Sequence, residues 1–598
     1  MIIYLLLSQL RMCGIIGYKG HGDGISLVLR GLKRLEYRGY DSWGIAGIKD
    51  GTLKVMKLTG QIGKVARKDI PILASPIAIG HTRWATHGGV TDYNAHPHIS
   101  KTGRFAVVHN GIIENFKELK DELLKKGVRF VSETDTEVIA HLLEQACDSE
   151  SNLKEALIKT LKKLEGSFAI VAVDRKTAEM AGARNGSPLV IGIGDGEVFF
   201  ASDIPAFLDS TKNVIYLEDG EATIFDSSLS VFNFLDGKEV IRKTERITWS
   251  IDEAEKGSYP HFMLKEINEQ EWSIKKAVEQ DPELIDIATE MIKNAFGVFF
   301  VGAGTSFHAC VSASYVFSEV AKKHVNVVSA SEFRNYKDFL TDKTLMVAVS
   351  QSGETADLLD AIKVAKKKGV KIIAIVNVMG STLMRMADLS ILMNCGPEIC
   401  VLSTKSYTSQ LAILLQLAYS LAGKTKEGKQ LVLEGSSSVK KILSESEPIA
   451  KELAKKLKDK TSMFLIGRDL AYPSALEGAL KIKEVSYVHA EGFAGGDLKH
   501  GAIALIEKDV PIIVLVTKAT KQLIESNAME VKARGGYLIG IGNFNSQIYD
   551  TFFKVPSLEA ADPLVMILPV QLLAYYLALE RGCDPDKPRN LAKSVTVK

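Results

Sequence analysis

Cysteine is scarce in this chain: Cys13, Cys147, Cys310, Cys395, Cys400 and Cys583 are the six among 598 residues. Only Cys395 and Cys400 lie close together, and no spacing matches a zinc site or a disulfide framework, which points to a reducing compartment. That one pair leaves a metal or redox alternative open. Neither sign of charge prevails. The 74 basic and 72 acidic residues leave a formal net charge of +2, so the electrostatic footprint of a nucleic-acid-binding protein is missing. No stretch reads as the roughly 20 apolar residues that span a bilayer. The opening Met1-Ile2-Ile3-Tyr4-Leu5-Leu6-Leu7 is apolar, but it lacks the basic start and small-residue cleavage site of a secretory signal. These absences predict a cytoplasmic protein with neither nucleic-acid nor membrane partners, and its length predicts three or four domains.

Residues 13–230 read as short strands with a few helices between them. Ile77–Gly80, Arg104–Val108 and Phe168–Val173 are β-branched or aromatic runs, whereas Asn115–Lys126 and Thr136–Ala146 carry helical periodicity. Without a regular βαβ rhythm this predicts an α+β sandwich. A polar stretch follows, read as a linker over 231–275. Beyond it the rhythm turns doubly wound α/β. Val298–Val301 leads into Gly304-Thr305-Ser306 and a helix, and Leu345–Val349 into Ser350-Gln351-Ser352-Gly353-Glu354-Thr355 and another. Met463–Gly467 and Pro511–Val516 repeat these strands, which predicts a duplicated domain over 276–430 and 440–585, with a tail at 586–598.

Several strings carry chemistry. Cys13 follows Met12, and as the first residue of a processed chain it would hold a thiol nucleophile beside its own α-amine, a base with an unperturbed pKa of about 7.7–8.0. The same residues also read as a buried strand. Arg83, in His81-Thr82-Arg83-Trp84-Ala85-Thr86-His87-Gly88, can clamp a carboxylate. Asn110 and Gly111 offer amide donors to an oxyanion. Asp135, in Ser132–Glu137, can accept from an ammonium group. Alone, each string also fits a turn, cap or surface pair. Together they are what hydrolysis of a free amino-acid side-chain amide requires. The hydroxyls of Ser350–Thr355 lie between a strand end and a helix start, where an anion site forms, or where a polar cap sits. Glu477, Lys481 and Glu484 share a helical face, which fits either an ionisable site or an exposed salt-bridged surface.

These strings, with Leu35-Glu36-Tyr37-Arg38-Gly39-Tyr40-Asp41-Ser42 and Asp586–Ser594, resemble a known family. The N-terminal part is similar to the class II glutamine amidotransferases. From Cys13 to Lys598 the chain resembles the family in which that domain precedes two sugar-isomerase (SIS) domains. The resemblance implies an αββα, N-terminal-nucleophile hydrolase fold followed by two doubly wound SIS domains. It also implies a glutamine-dependent conversion of D-fructose 6-phosphate to D-glucosamine 6-phosphate, with no metal or organic cofactor, by a homodimer built through the α/β lobes. By resemblance Cys13 is the nucleophile and Asn110 and Gly111 form the oxyanion hole. Arg83 and Asp135 hold glutamine, Thr86 and His87 line its pocket, and Trp84 gates the passage of ammonia or simply packs. Thr305, Ser306, Ser350, Gln351, Ser352, Thr355 and Ser403 hold the phosphosugar. Glu484 moves a proton between C1 and C2 beside Lys481, His500 assists ring opening, and Lys593 forms an imine with the open-chain ketose.

The chain departs from the family pattern at Ala303, where some relatives carry cysteine, and at Gln270-Glu271-Trp272, which lacks the proline many relatives have after that glutamine. Twelve residues also precede Cys13. While attached they make its nitrogen a peptide amide, so translation from Met12 with removal of Met12, or cleavage of a propeptide, is expected. An amidotransferase or deglycase acting on another phosphosugar, and a non-catalytic phosphosugar sensor, are the rival functions.

Overall fold

A computed structural model describes residues 13–36, 39–84, 88–150, 152–247 and 256–594. Thr86, His87 and the twelve residues before Cys13 therefore lie outside the described residues. The chain divides near residue 252 into two compact units.

The first unit holds two antiparallel sheets. One contains β1 (Gly14–Lys19), β2 (Ser42–Lys49), β3 (Thr52–Thr59), β4 (Ile77–Arg83), β9 (Val190–Ile193), β10 (Val198–Ala201), β11 (Asn213–Tyr216) and β14 (Glu245–Arg246), in the order β14-β11-β9-β10-β1-β4-β2-β3. The other contains β5 (His98–Ile99), β6 (Phe105–Ile113), β7 (Gly166–Asp174), β8 (Met180–Asn185), β12 (Glu221–Phe225) and β13 (Leu229–Asn233), in the order β13-β12-β8-β7-β6-β5. Strand alternation sends successive residues into different cores. Ile15 and Val108 pack between the sheets, Ile16 packs under the helix Gly24–Leu35, and Val107 packs under the helices of the opposite face. The result is a helix–sheet–sheet–helix sandwich. The helix Gly24–Leu35 buries Ile25, Val28, Leu29, Leu32 and Leu35, and Asp23 caps it by accepting from the Ile25 N–H at 3.1 Å. On the other side Glu137–Ser149 buries Val138, Ile139, Leu142, Leu143 and Ala146.

The second unit holds two parallel sheets. The first comprises β15 (Gly297–Gly302), β16 (Asn326–Ser329), β17 (Thr344–Ser350), β18 (Lys371–Val376) and β19 (Leu389–Leu392), in the order β16-β15-β17-β18-β19. The second comprises β20 (Ser462–Gly467), β21 (His489–Ala494), β22 (Pro511–Val516), β23 (Tyr537–Gly542) and β24 (Thr551–Lys554), in the order β21-β20-β22-β23-β24. The two orders are the same permutation, so the duplication read from the strand motifs extends to the topology. In this arrangement ligands bind outside the carboxyl ends of the strands where the order reverses, which here is the gap between β15 and β17. One continuous core joins the copies through the helices Lys405–Leu421, Thr425–Leu457, Ala471–Ser486 and Asp562–Glu580.

Three expectations need correction. The stretch read as a linker over 231–275 is largely structured. It contains the end of β13, the edge strand β14 and the helices Phe262–Asn268 and Gln270–Val278. Met263, Ile267 and Ile274 are buried there, and Gln270 bonds Gln571 at 2.7 Å. Short helices with so few apolar positions leave little periodic signal. The gap left between the two α/β domains likewise falls inside the helix Thr425–Leu457. The chain also does contain a helix long and apolar enough to cross a membrane: Glu559–Glu580 has a mean hydropathy of 1.6 over its most apolar window, which is 89% buried among its neighbours. It forms the central helix of the second unit's core.

Candidate active site

In the first unit, pairing of β1 with β4 sets Gly14 opposite Thr82, so Cys13 lies at the end of β4 where Arg83 and Trp84 follow. The Trp84 N–H donates to Cys13 Sγ at 3.2 Å. Burial pushes the thiol up to about 11, while the Trp84 N–H and the Arg83 charge pull it down and Asp135 and Asp41 push it up. Near pH 7 only about one thiol in ten thousand would be ionised. To act as a nucleophile this thiol needs a base.

Asn110 and Gly111 lie within β6, not after a strand as the sequence suggests. Asn110 Nδ2 donates to the Cys13 carbonyl at 2.8 Å, and its Oδ1 lies 3.0 Å from His81 Nε2. Gly111 has φ +123°, and a Cβ there would come 2.0 Å from the Ser167 carbonyl oxygen, so only glycine fits. Asp135 accepts from the Ile113 N–H at 2.9 Å, tying its loop to the strand that carries Asn110. Arg83 is buried and donates to the Gly89 and Gly88 carbonyls at 3.2 and 3.3 Å. Glu137, from the same string as Asp135, bonds the Val131 and Ser132 N–H groups at 2.8 and 2.6 Å and so shapes the loop. Trp84 also meets the Tyr40 ring edge-on at 5.5 Å. His81 and Asp41 carry no distinguishing signal in the sequence; His81 is marked by its contact with Asn110 and Asp41 by its charge acting on the thiol.

In the second unit, Ser350–Thr355 runs from the end of β17 to the helix Ala356–Lys366. Ser350 Oγ accepts from the Gly353 N–H at 3.0 Å, and Ser352 Oγ from the Glu354 N–H at 3.2 Å. The N–H groups of the helix's first turn remain directed into the loop, which suits a phosphate. Gly353 has φ +67°, and a Cβ there would come 2.2 Å from Ser381 Oγ. Gly353→Ala is expected to cost roughly 1–3 kcal/mol of stability through backbone strain and the Ser381 contact. A urea titration checks it.

Beside this loop lies a buried charge cluster. Lys481 Nζ is 3.2 Å from Glu477 and 2.8 Å from Glu484, and it donates to Thr305 Oγ1 at 3.0 Å and the Ser403 carbonyl at 3.2 Å. Thr305 also donates to Glu477 at 3.0 Å, so its hydroxyl serves the charge cluster. His308 Nδ1 meets the same carboxylate at 2.8 Å, and Ser306 Oγ accepts from Gln410 at 3.1 Å. The salt-bridged face open in the sequence is thus interior, not exposed. Burial raises the Glu484 carboxyl above its ordinary range, with Lys481 opposing the rise. Lys481→Met removes the ammonium that bonds both carboxylates, and is expected to cost about 3–5 kcal/mol, read from the urea midpoint.

The tail reaches the same place. Asp586 caps the helix Phe262–Asn268 by accepting from the Phe262 and Met263 N–H groups, each at 2.8 Å. Lys593 Nζ then pairs with Glu398, a buried carboxylate also held by the Thr404 and Ser406 N–H groups. Ser594 donates to Ser352 Oγ at 2.9 Å, so the tail lies against the anion loop. Nothing in the sequence reading marked Glu398. His500 is not gathered in: it is exposed on the segment Asp497–His500 and bonds neither Lys481 nor Glu484. Cys395 and Cys400 are free, buried thiols bonded to separate acceptors, Asn377 Oδ1 at 3.0 Å and the Pro585 carbonyl at 3.4 Å.

This fold and these two groupings define a glutamine amidotransferase domain joined to paired SIS domains, and family models agree. The glutamine amidotransferase domain matches residues 81–209, and the SIS domain matches 291–420 and 456–581. The glutamine–fructose-6-phosphate aminotransferase (isomerizing) of Thermococcus kodakarensis is 49% identical over 98% of this chain and all of its own length. That of Aquifex aeolicus is 43% identical with the same coverage. Among solved structures, the C-terminal domain of glucosamine-fructose-6-phosphate aminotransferase from Francisella tularensis covers 56% of this chain and all of its own, at 33% identity and a TM-score of 0.51. The chain belongs to the glutamine–fructose-6-phosphate aminotransferase (isomerizing) family.

Proposed function

We propose that this protein converts D-fructose 6-phosphate and L-glutamine to D-glucosamine 6-phosphate and L-glutamate. The observation that carries the reading is the presence on one chain of two complementary sites. One is a thiol flanked by Asn110, Arg83 and Asp135. The other is a buried lysine–carboxylate cluster beside a phosphate-type loop.

In the first unit Cys13 Sγ attacks the glutamine side-chain carbonyl once the α-amine of Cys13 has taken the thiol proton. The tetrahedral oxyanion is met by Asn110 Nδ2 and the Gly111 N–H. Arg83 holds the substrate α-carboxylate and Asp135 its α-ammonium, with Thr86 and His87 lining the pocket. The C–N bond breaks, the amine's proton leaves with ammonia, and water releases glutamate from the thioester. Protonated ammonia has no lone pair, so its passage, gated by Trp84, must exclude bulk water.

In the second unit Ser350, Gln351, Ser352 and Thr355 hold the phosphate, and Thr305, Ser306 and Ser403 complete the sugar pocket. Lys593 forms an imine at C2 of the open-chain ketose, and ammonia displaces it. Glu484 then carries a proton from C1 to C2, and its raised pKa suits a group that must accept and return one. Lys481 orients Glu484. A homodimer through the α/β lobes belongs to the same proposal.

Amide-15N glutamine supplied with fructose 6-phosphate should place the label on C2 of glucosamine 6-phosphate, with one glutamate released per amino sugar. Label recovered only as free ammonia, with no amino sugar formed, would overturn the reading.

A further inference from the structure

We propose that His81 is a positioning residue which, with the His109 carbonyl, fixes the Asn110 amide in the one orientation that can stabilise an oxyanion. The inference rests on the glutamine-hydrolysing role of the first unit.

His81 is fully buried on β4, and its Nε2 lies 3.0 Å from two atoms at once, the His109 carbonyl oxygen and Asn110 Oδ1. A backbone carbonyl can only accept, so Nε2 must carry the proton. The Asn110 atom facing it must then be the oxygen, because an NH2 there would set donor against donor. Amide orientation thus follows from the backbone of the neighbouring residue, and Nδ2 is left pointing towards Cys13, whose carbonyl it meets at 2.8 Å. One Nδ2 hydrogen serves that carbonyl and the second remains for the substrate. A bond accepted at Oδ1 also polarises the amide and strengthens its N–H donors.

Two observations support a device rather than a packing residue. His81 Nδ1 is buried with no hydrogen-bond partner among the described residues, so the ring's polar capacity is committed to the Asn110 side alone. The ring is also held neutral. It stacks on His96 at 4.1 Å, and burial, with the Arg83 charge adding to it and the bonds to Asn110 and the His109 carbonyl opposing it, lowers its pKa to about 3. His96 is in turn fixed by the His109 N–H at 3.4 Å and Thr136 Oγ1 at 3.3 Å.

The experiment compares His81→Gln and His81→Asn in protein beginning at Cys13. Glutamine can return a donor near the Nε2 position, whereas asparagine is too short. H81N should lower the kcat of glutamine hydrolysis about 10–100-fold with KM within about threefold, and H81Q should recover most of the loss. In an Asn110→Ala background H81N should add less than about threefold, since the amide it orients is gone. Equal activities for H81N and H81Q, or losses that multiply with N110A, would overturn the proposal. As a check free of substitutions, 15N-histidine spectra of the wild type should show His81 as the neutral Nε2–H form from pH 5 to 9, and an Nδ1–H form would equally overturn it. Wild-type protein that releases no glutamate would instead defeat the glutaminase reading itself.

Discussion

Cys13→Ala, in protein whose first residue is position 13, should lose glutamine hydrolysis by about ten thousandfold or more, the scale on which enzymes lose a covalent nucleophile. Ammonia-supported formation of glucosamine 6-phosphate should stay within about twofold of wild type, since the second unit carries its own charge cluster and phosphate loop. The substitution removes one sulfur and leaves the β1–β4 pairing that begins at Gly14 untouched. Asn110, Gly111, Arg83 and Asp135 also remain, so glutamine should still bind. The same reasoning sets a pH dependence. The thiol sits at about 11, with burial as the main cause, so it ionises little until a neighbouring base removes its proton. An α-amine accepts that proton only when neutral, so hydrolysis should rise through about pH 7.7–8.0. Protein in which the Cys13 nitrogen remains in a peptide bond should hydrolyse glutamine as poorly as C13A. Glutamate release, measured from pH 5 to 9 on the three proteins, checks all of this. Undiminished hydrolysis by C13A would remove the nucleophile from the mechanism.

The strands and the duplicated α/β order were legible because buried parallel strands write continuous apolar runs, such as Leu345–Val349 and Pro511–Val516, bounded by turn residues. The phosphate-type loop was legible for a related reason: four hydroxyl-bearing or amide residues packed between strand and helix have few structural uses. Other parts were not. The helix Phe262–Asn268 buries few apolar side chains and is fixed by Asp586, more than three hundred positions on, a partner that no local window contains. Glu398 gives no signal either, because a single carboxylate becomes notable only when the tail lays Lys593 against it. The Glu477–Lys481–Glu484 spacing was visible, but whether that face looked outward or inward depended on its packing in the second unit's core. Motif resemblance names candidate site residues that periodicity does not mark. It said nothing of His81, whose part depends on the tautomer that the His109 carbonyl imposes.

Lys593→Arg should abolish amino-sugar synthesis by at least about a thousandfold with glutamine or ammonia alike. Glutamine hydrolysis should remain, because Cys13 and its partners lie in the other unit. The choice of arginine isolates the chemistry. Its guanidinium keeps the positive charge and can pair with the buried Glu398 carboxylate through parallel N–H bonds, so the contact that anchors the tail survives. It cannot lose a proton at accessible pH and so cannot form an imine with C2 of the sugar. Lysine can, once its ammonium has given up a proton. The Ser594–Ser352 bond places the tail against the loop proposed to hold the sugar phosphate, so substrate binding and the setting of Lys593 are expected to be linked. Borohydride reduction in the presence of fructose 6-phosphate should trap a covalent adduct on wild-type protein and none on K593R. An adduct on K593R, or synthesis near the wild-type rate, would assign the imine to another residue and leave Lys593 with a purely electrostatic part.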